Sequence, residues 1–424
     1  VSAAIAPTGT TLLSLQSGGA VTQAVAGTIT ETNLAVRSAG AITLNSANDV
    51  TTFAAVSTGA SSALSFTDAN SFTVGTVDGL SGVKTNNGAI ALTATAGNLT
   101  VSTTPATNGV DAGISTATLR AGGDNNLLTI AASADVKGTG GVTLTADRMD
   151  LSGTVTATGS IATLKADSAA RYIDIGGADS NLATATTPTT GSLGLSNAEL
   201  RRIAATTVVV GDATGNTNTG AIGITSAIDL TGPTTATNLT LTNKVGGISV
   251  GAGVKVAGAL TLTANAGAGA VGAITDTTAG TLTDNVLAGN TVILNAATGI
   301  GVSHTGVFNP ITVKTTQPNG AGLTATNGSA GTGSGDIALV QPTGVLMINN
   351  GGATITNTAN DGAIDLTNLN GTISVFNTVQ TAGNGAIYMD ARTAGAGENI
   401  VMNANSLVRS GAAGAGTGLI DLKA

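Results

Sequence analysis

Residues able to do chemistry are few in this chain and lie far apart. The densest group is SLGLSNAELRRIAATTVVVGD, Ser192 to Asp212, where Glu199 precedes the adjacent Arg201 and Arg202 in surroundings of Gly, Ala, Thr, Asn and Val. Two neighbouring guanidiniums suit an anion or a glycan. Asp124, Asp135, Asp147, Asp150, Asp167 and Asp174 are carboxylates of the kind that polysaccharide lyases and glycosidases use in convergent pairs. They do not recur at a spacing that would cluster them, and Asp147 and Asp150 around Arg148 read as a solvated turn. His304 is the single histidine and there is no cysteine, so no metal-ligand pattern arises and His304 reads as an exposed turn residue.

Glycine-rich stretches add nothing catalytic. GAGAVGAI from Gly267 has a GxGxxG-like spacing but lacks a following helix and a downstream ribose-binding acid. GGADSN and GDATGN are single turns, not calcium-binding nonapeptide repeats. Thr-x-Thr pairs at Thr93/Thr95, Thr154/Thr156, Thr240/Thr242, Thr261/Thr263 and Thr281/Thr283 do not keep the constant register of an ice-binding array. No catalytic, cofactor-binding or metal-binding residue is assigned, and the chain is expected not to be an enzyme and to need no cofactor. With a net charge of −8 and no basic run, nucleic acid is excluded as a partner.

The elements that would carry these residues follow from local pattern. In LSNAEL, Ser196 and Glu199 have capping-box spacing, and Leu195 and Leu200 occupy the positions of a hydrophobic staple. A short helix is predicted near 196–203, with Leu200 and Ile203 on an apolar patch and Arg201 and Arg202 in solvent. The segment reads as a structural decoration; a contact to an anion or glycan through the two arginines is the alternative.

The chain as a whole is 42% hydrophobic, 9% charged and 2% aromatic, with no apolar run long enough for a helical membrane span. A period dominates it. The pattern Gly-Ala-Ile recurs in AGAITL, NGAIAL, TGAIGI, VGAITD, DGAIDL and NGAIYM. The register marks are Ile42, Ile90, Val142, Ile222, Ile248, Ile274, Ile300, Ile337, Ile364 and Ile387. Ile222 to Ile300 advance by 26 residues each, and the gaps of 48, 52 and 80 before them approximate two, two and three such steps. Within a period, short segments with apolar residues at alternate positions, such as ISV, VKV and LTL, bury one face each.

Several short strands per period, turned by Gly and Asn, fit one coil of a parallel β-helix. The expectation is a single continuous domain over residues 1–424, all-β, with coils of about 26 residues. About 16 coils at roughly 4.8 Å each would make a rod of roughly 75–80 Å. Stacking explains the composition as well, because a charge at a repeated position would face its own copy in the next coil. Asn45, Asn295 and Asn403, each following a strand that ends in Leu or Met, are candidates for a stacked amide ladder.

NDVTTFAA at 48–55, the segment 64–101, GTVTATGSIATLKADSAARYIDIGGA at 153–178 and LGLSNAELRRIAATTVVVGDATGNTNTGAIGIT at 193–225 resemble the repeat region of large filamentous haemagglutinin-type exoproteins. The resemblance implies a right-handed β-helix, secreted by a Gram-negative bacterium through a partner outer-membrane translocator or as an autotransporter. It implies an extracellular or cell-surface adhesin stalk or filament segment, with a host or matrix glycan or protein as receptor. Of the secretion-domain signature only FNPIT at 308 and QPNGAG at 317 remain, and no signal peptide or translocator barrel is seen, so a piece of a longer product is expected. The alternative is a self-assembling fibre or surface-layer subunit that pairs with copies of itself through uncapped coil ends. A polysaccharide-active enzyme ranks third.

Overall fold

A computed structural model describes the chain except for residues 103–108, 181–190, 213–219, 233–234, 265–271, 279–281, 305–306, 316–321, 329–334, 349–353, 360, 393–398 and 412–416. The described chain is built of short strands and one single-turn helix, and the strands pair in parallel, each on a strand one coil earlier or later, as a β-solenoid. The exception is the antiparallel pair Thr76–Val77 and Leu80–Ser81. No described helix is long and apolar enough to cross a membrane. Two compact units are distinguished: Val1–Arg171 with Ala178–Val210 and Gly232–Ala236, and Tyr172–Gly177 with Gly211–Thr231 and Thr237–Ala424.

In the second unit, alternation of apolar and small polar residues turns one side chain in two toward the interior. Pairing then sets Ile173 against Ile222, Ile222 against Ile248, Ile248 against Ile274, Ile274 against Ile300, Ile300 against Ile337, Ile337 against Ile364 and Ile364 against Ile387. All are buried. Seven of the register marks therefore form one unbroken interior column, extended at its start by Ile173.

Three glycines of the Gly-Ala-Ile pattern have a steric reason. A Cβ on Gly272 would lie 2.3 Å from the carbonyl oxygen of Gly246, one on Gly362 2.4 Å from that of Gly335, and one on Gly385 2.2 Å from that of Gly362. Backbone stacks on backbone at these corners, and only hydrogen fits between.

In the first unit the corresponding column runs Ile42, Leu64, Ile90, Ala117, Val142, Ala162 and Val208. Leu64 and Ala117 occupy the coils hidden inside the 48- and 52-residue gaps. The 80-residue gap is different: Val142 continues into Ala162 and Val208, whereas Ile222 follows Ile173, so these two marks do not share a column. Aromatic side chains concentrate at one level, where Phe66 stacks on Phe53 at 4.0 Å between ring centroids and meets the edge of Phe72 at 5.1 Å.

Charges do occur at stacked positions, but in alternating sign. Lys84, Asp111 and Lys137 face one another in successive coils, with both ammonium–carboxylate distances 3.8 Å, and Asp229 faces Lys255 at 3.8 Å. The amide ladder lies elsewhere than expected. Asn295 sits between Thr263 and Thr326 and Asn45 is exposed. The amides that stack are Asn327 and Asn357, buried at a corner, where Asn357 also donates to the carbonyls of Gly335 and Ala363.

Candidate functional site

Because outward residues of stacked strands align as strictly as inward ones, groups distant in sequence share a face. In the second unit Asp365 of strand Ile364–Asn368, Tyr388 of Ile387–Ala391 and Asp421 of Ile420–Lys423 form one outward row, and Thr367, Asp390 and Lys423 form the next. Above the start of these rows, Val302 and Asn309 bridge antiparallel and bring His304 between them onto Asp365. The His304 backbone N–H donates to Asp365 Oδ2 at 3.1 Å, and its ring Nδ1 meets the same oxygen. The ring stacks on Phe308 with centroids 3.8 Å apart.

Asp365 is 1% exposed, while the His304 side chain is 44% exposed. Asp365 Oδ1 is buried and accepts no hydrogen bond from the described residues. A cleft of about 220 Å³ opens here, lined by His304, Asp365, Tyr388, Asp390, Arg392, Asp421 and Lys423. Arg392 holds Asp390 at 2.7 Å and Lys423 holds Asp421 at 2.9 Å, and that hydrogen bond keeps the Lys423 ammonium above its usual range. When its ring is neutral, His304 with Nδ1–H on a carboxylate keeps Nε2 as an acceptor. The cleft thus presents donors, acceptors and one phenol ring.

A second polar cluster lies in the first unit and is enclosed. Arg171 is 3% exposed and Asp147 1%. The guanidinium donates to Asn125 Oδ1 at 2.6 Å and to the carbonyls of Asp147, Ser180 and Ser192, with Asp147 Oδ2 at 3.9 Å. Burial lowers its pKa. Ser168 Oγ bridges Asp124 at 2.8 Å and Asp147 at 2.5 Å, and Arg120 pairs with Asp167. Asp147 is therefore a buried acceptor, in contrast to the solvated turn expected of it; Asp150 is exposed and takes only a hydroxyl from Ser152. Asp135 accepts from Thr154 and Thr156, and Asp174 from Thr225.

The predicted helix forms as Asn197–Leu200, capped by Ser196 with Glu199 completing the box. Leu195, Leu200 and Ile203 are fully buried, and Arg201 and Arg202 are exposed. Glu199 has a further task. Its Oε1 accepts the N–H of Leu151 at 3.2 Å, and Asp179 Oδ2 accepts that of Met149 at 2.9 Å. These two carboxylates take the place of strand carbonyls along the edge of Arg148–Leu151.

Burial pushes the Asp179 carboxyl up to about 7, against the pull of the Gly194 and Met149 N–H groups, and burial likewise pushes Asp68 to about 6. Acids raised above their unfolded value favour the fold when protonated, so this contribution is present below about pH 4 and is lost as pH rises through 6 to 7. The denaturant midpoint of unfolding is accordingly expected to fall between pH 5 and pH 8, and Asp179→Asn to flatten that slope. A midpoint that rises over this interval, in both the parent chain and the variant, contradicts the assignment.

Sequence reasoning missed the pairing of His304 with Asp365, 61 positions apart, and the only signal was a carboxylate at an outward strand position in DGAIDL. It also missed the turn VDGL. There Asp78 and Gly79 both have positive φ, and the hairpin folds Val77 onto Ala35 and Ala54 with Asp78 held by Arg37 at 2.8 Å. Asp-Gly between alternating residues was the available clue. Most of GAGAVGAI and of QPNGAG, as well as Thr281 and most of GDATGN, lies outside the described residues. Among the described residues, no three His, Asp or Glu side chains are grouped to hold a metal ion. No family model, curated protein or solved structure matches the chain.

Proposed function

We propose that this chain is a non-enzymatic structural segment of a Gram-negative cell-surface or secreted protein, a stiff adhesin stalk or filament piece exported through an outer-membrane translocator. In this reading the solenoid is right-handed and its underlying coil is about 26 residues, lengthened or shortened by insertions. The observation that carries it is the isoleucine column from Ile173 to Ile387 beside stacked glycine corners. At these corners coil presses backbone to backbone on coil, which would resist bending and leave specificity to whatever projects from the outer face. A glycan or matrix protein would be the receptor.

A second reading is assembly end to end with further copies. Met402, Ile420 and Leu422 are exposed although their partners Val375, Ile387 and Met389 are buried, and either a following coil of a longer chain or a further copy would cover them. Electron microscopy of the purified chain separates the two readings. Discrete rods of uniform length are expected for a stalk segment; long unbranched fibres that disappear in Met402→Lys with Leu422→Lys establish assembly. Compact rounded particles would refute both.

A further inference from the structure

From the chemistry of the cleft beside His304 we infer that it is a binding site for a single neutral sugar ring, which deepens the glycan-receptor part of the proposed reading, while its failure would leave the stalk itself untouched. The case rests on charge balance and on one orphaned atom. Asp390 and Asp421 are already neutralised by Arg392 and Lys423 at 2.7 and 2.9 Å, so neither carboxylate is left to draw in a cation and neither cation to draw in an anion. An anionic ligand would meet three carboxylates against two cations, and an ammonium would have to compete with Arg392 and Lys423 for Asp390 and Asp421, with Asp365 enclosed. A polyol meets no such conflict, because each hydroxyl donates once and accepts twice and so serves both partners of an ion pair.

Asp365 Oδ1 requires a donor. Its carboxylate is 99% enclosed by the fold, its other oxygen is taken by His304, and among the described residues no donor reaches Oδ1. A buried carboxylate oxygen left bare is costly, and a hydroxyl group entering the cleft that Asp365 lines would satisfy it. Tyr388, next in the same outward row, supplies the flat apolar surface on which the C–H face of a pyranose rests. The volume of about 220 Å³ is below that of sites for drug-sized ligands and suits one ring, a terminal residue or one unit of a longer chain. His304, backed by its stack on Phe308, forms part of the wall.

Saturation-transfer NMR on the full chain tests this with methyl glycosides of glucose, galactose and mannose, and with inorganic phosphate and n-butylamine as charged probes. At least one glycoside is expected to bind saturably with a Kd in the range of about 0.1–10 mM, as suits a small ligand held by a few hydrogen bonds. Binding should weaken about tenfold or more in Asp365→Asn and in Tyr388→Ala. Tyr388 is half-exposed, so its variant keeps the test valid if loss of the buried Asp365 disturbs the fold, and circular dichroism checks both. The inference is overturned if no glycoside binds saturably, if binding is unchanged in both folded variants, or if phosphate or butylamine binds in a variant-sensitive way where the glycosides do not.

Discussion

Replacing Arg171 with alanine is expected to destabilise the first unit by about 3–5 kcal/mol, the usual result of removing one partner from a buried ion pair. The side chain is enclosed, and its loss leaves the buried Asp147 carboxylate without its cation and takes one donor each from the Asn125 amide oxygen and the Asp147, Ser180 and Ser192 carbonyls. Arg202→Ala, at an exposed position, should change stability by less than about 0.5 kcal/mol. Guanidinium unfolding followed by far-ultraviolet circular dichroism gives the comparison. Equal midpoints for the two variants would show that the Arg171 cluster contributes nothing to holding the unit together.

Gly362→Ala should cost about 3 kcal/mol in the second unit, at the upper end of what overpacking does. The added methyl would approach the Gly335 carbonyl oxygen to 2.4 Å and the Asn357 amide nitrogen to 2.7 Å, and neither can retreat. The first is backbone of a neighbouring coil. The second is a buried amide committed to two carbonyls and to Asn327. Gly18→Ala, with open space around the new methyl, serves as the neutral comparison. If both substitutions shift the unfolding midpoint equally, close stacking is not why glycine occupies the first place in Gly-Ala-Ile.

These residues also show what can be read from sequence and what cannot. The stacked Gly-Ala-Ile marks, the strand alternation and the helix at Ser196 were legible because each is written in neighbouring residues: Ile after Gly-Ala, apolar at every second place, Ser and Glu three apart. The hidden coils at Leu64 and Ala117 were recoverable only as gap lengths, since those positions lack the Gly-Ala-Ile signature. Asp147 was misjudged because its partner, Arg171, lies 24 residues on and its enclosure depends on Ser180 and Ser192 further still. His304 looked solitary for the same reason. Local pattern sets which residues face in, whereas which outward residues meet depends on the number of residues spent in each turn, and that number varies. Leu12 pairs with Asn33, Thr30 with Asp49, Leu64 with Ile90 and Val254 with Leu287.

That variation bears on how the chain finds its place. An interior of isoleucine on isoleucine is indifferent to a shift by one whole turn, since every side chain would land on an equal. Contacts that occur once are not indifferent: the Arg171 plug, the hairpin at Asp78–Gly79, and the seat of His304 on Asp365 each match a single location. They work as index marks on an otherwise uniform thread, so that a misthreaded chain leaves a buried charge or a hairpin with nowhere to dock and is driven to unwind and try again.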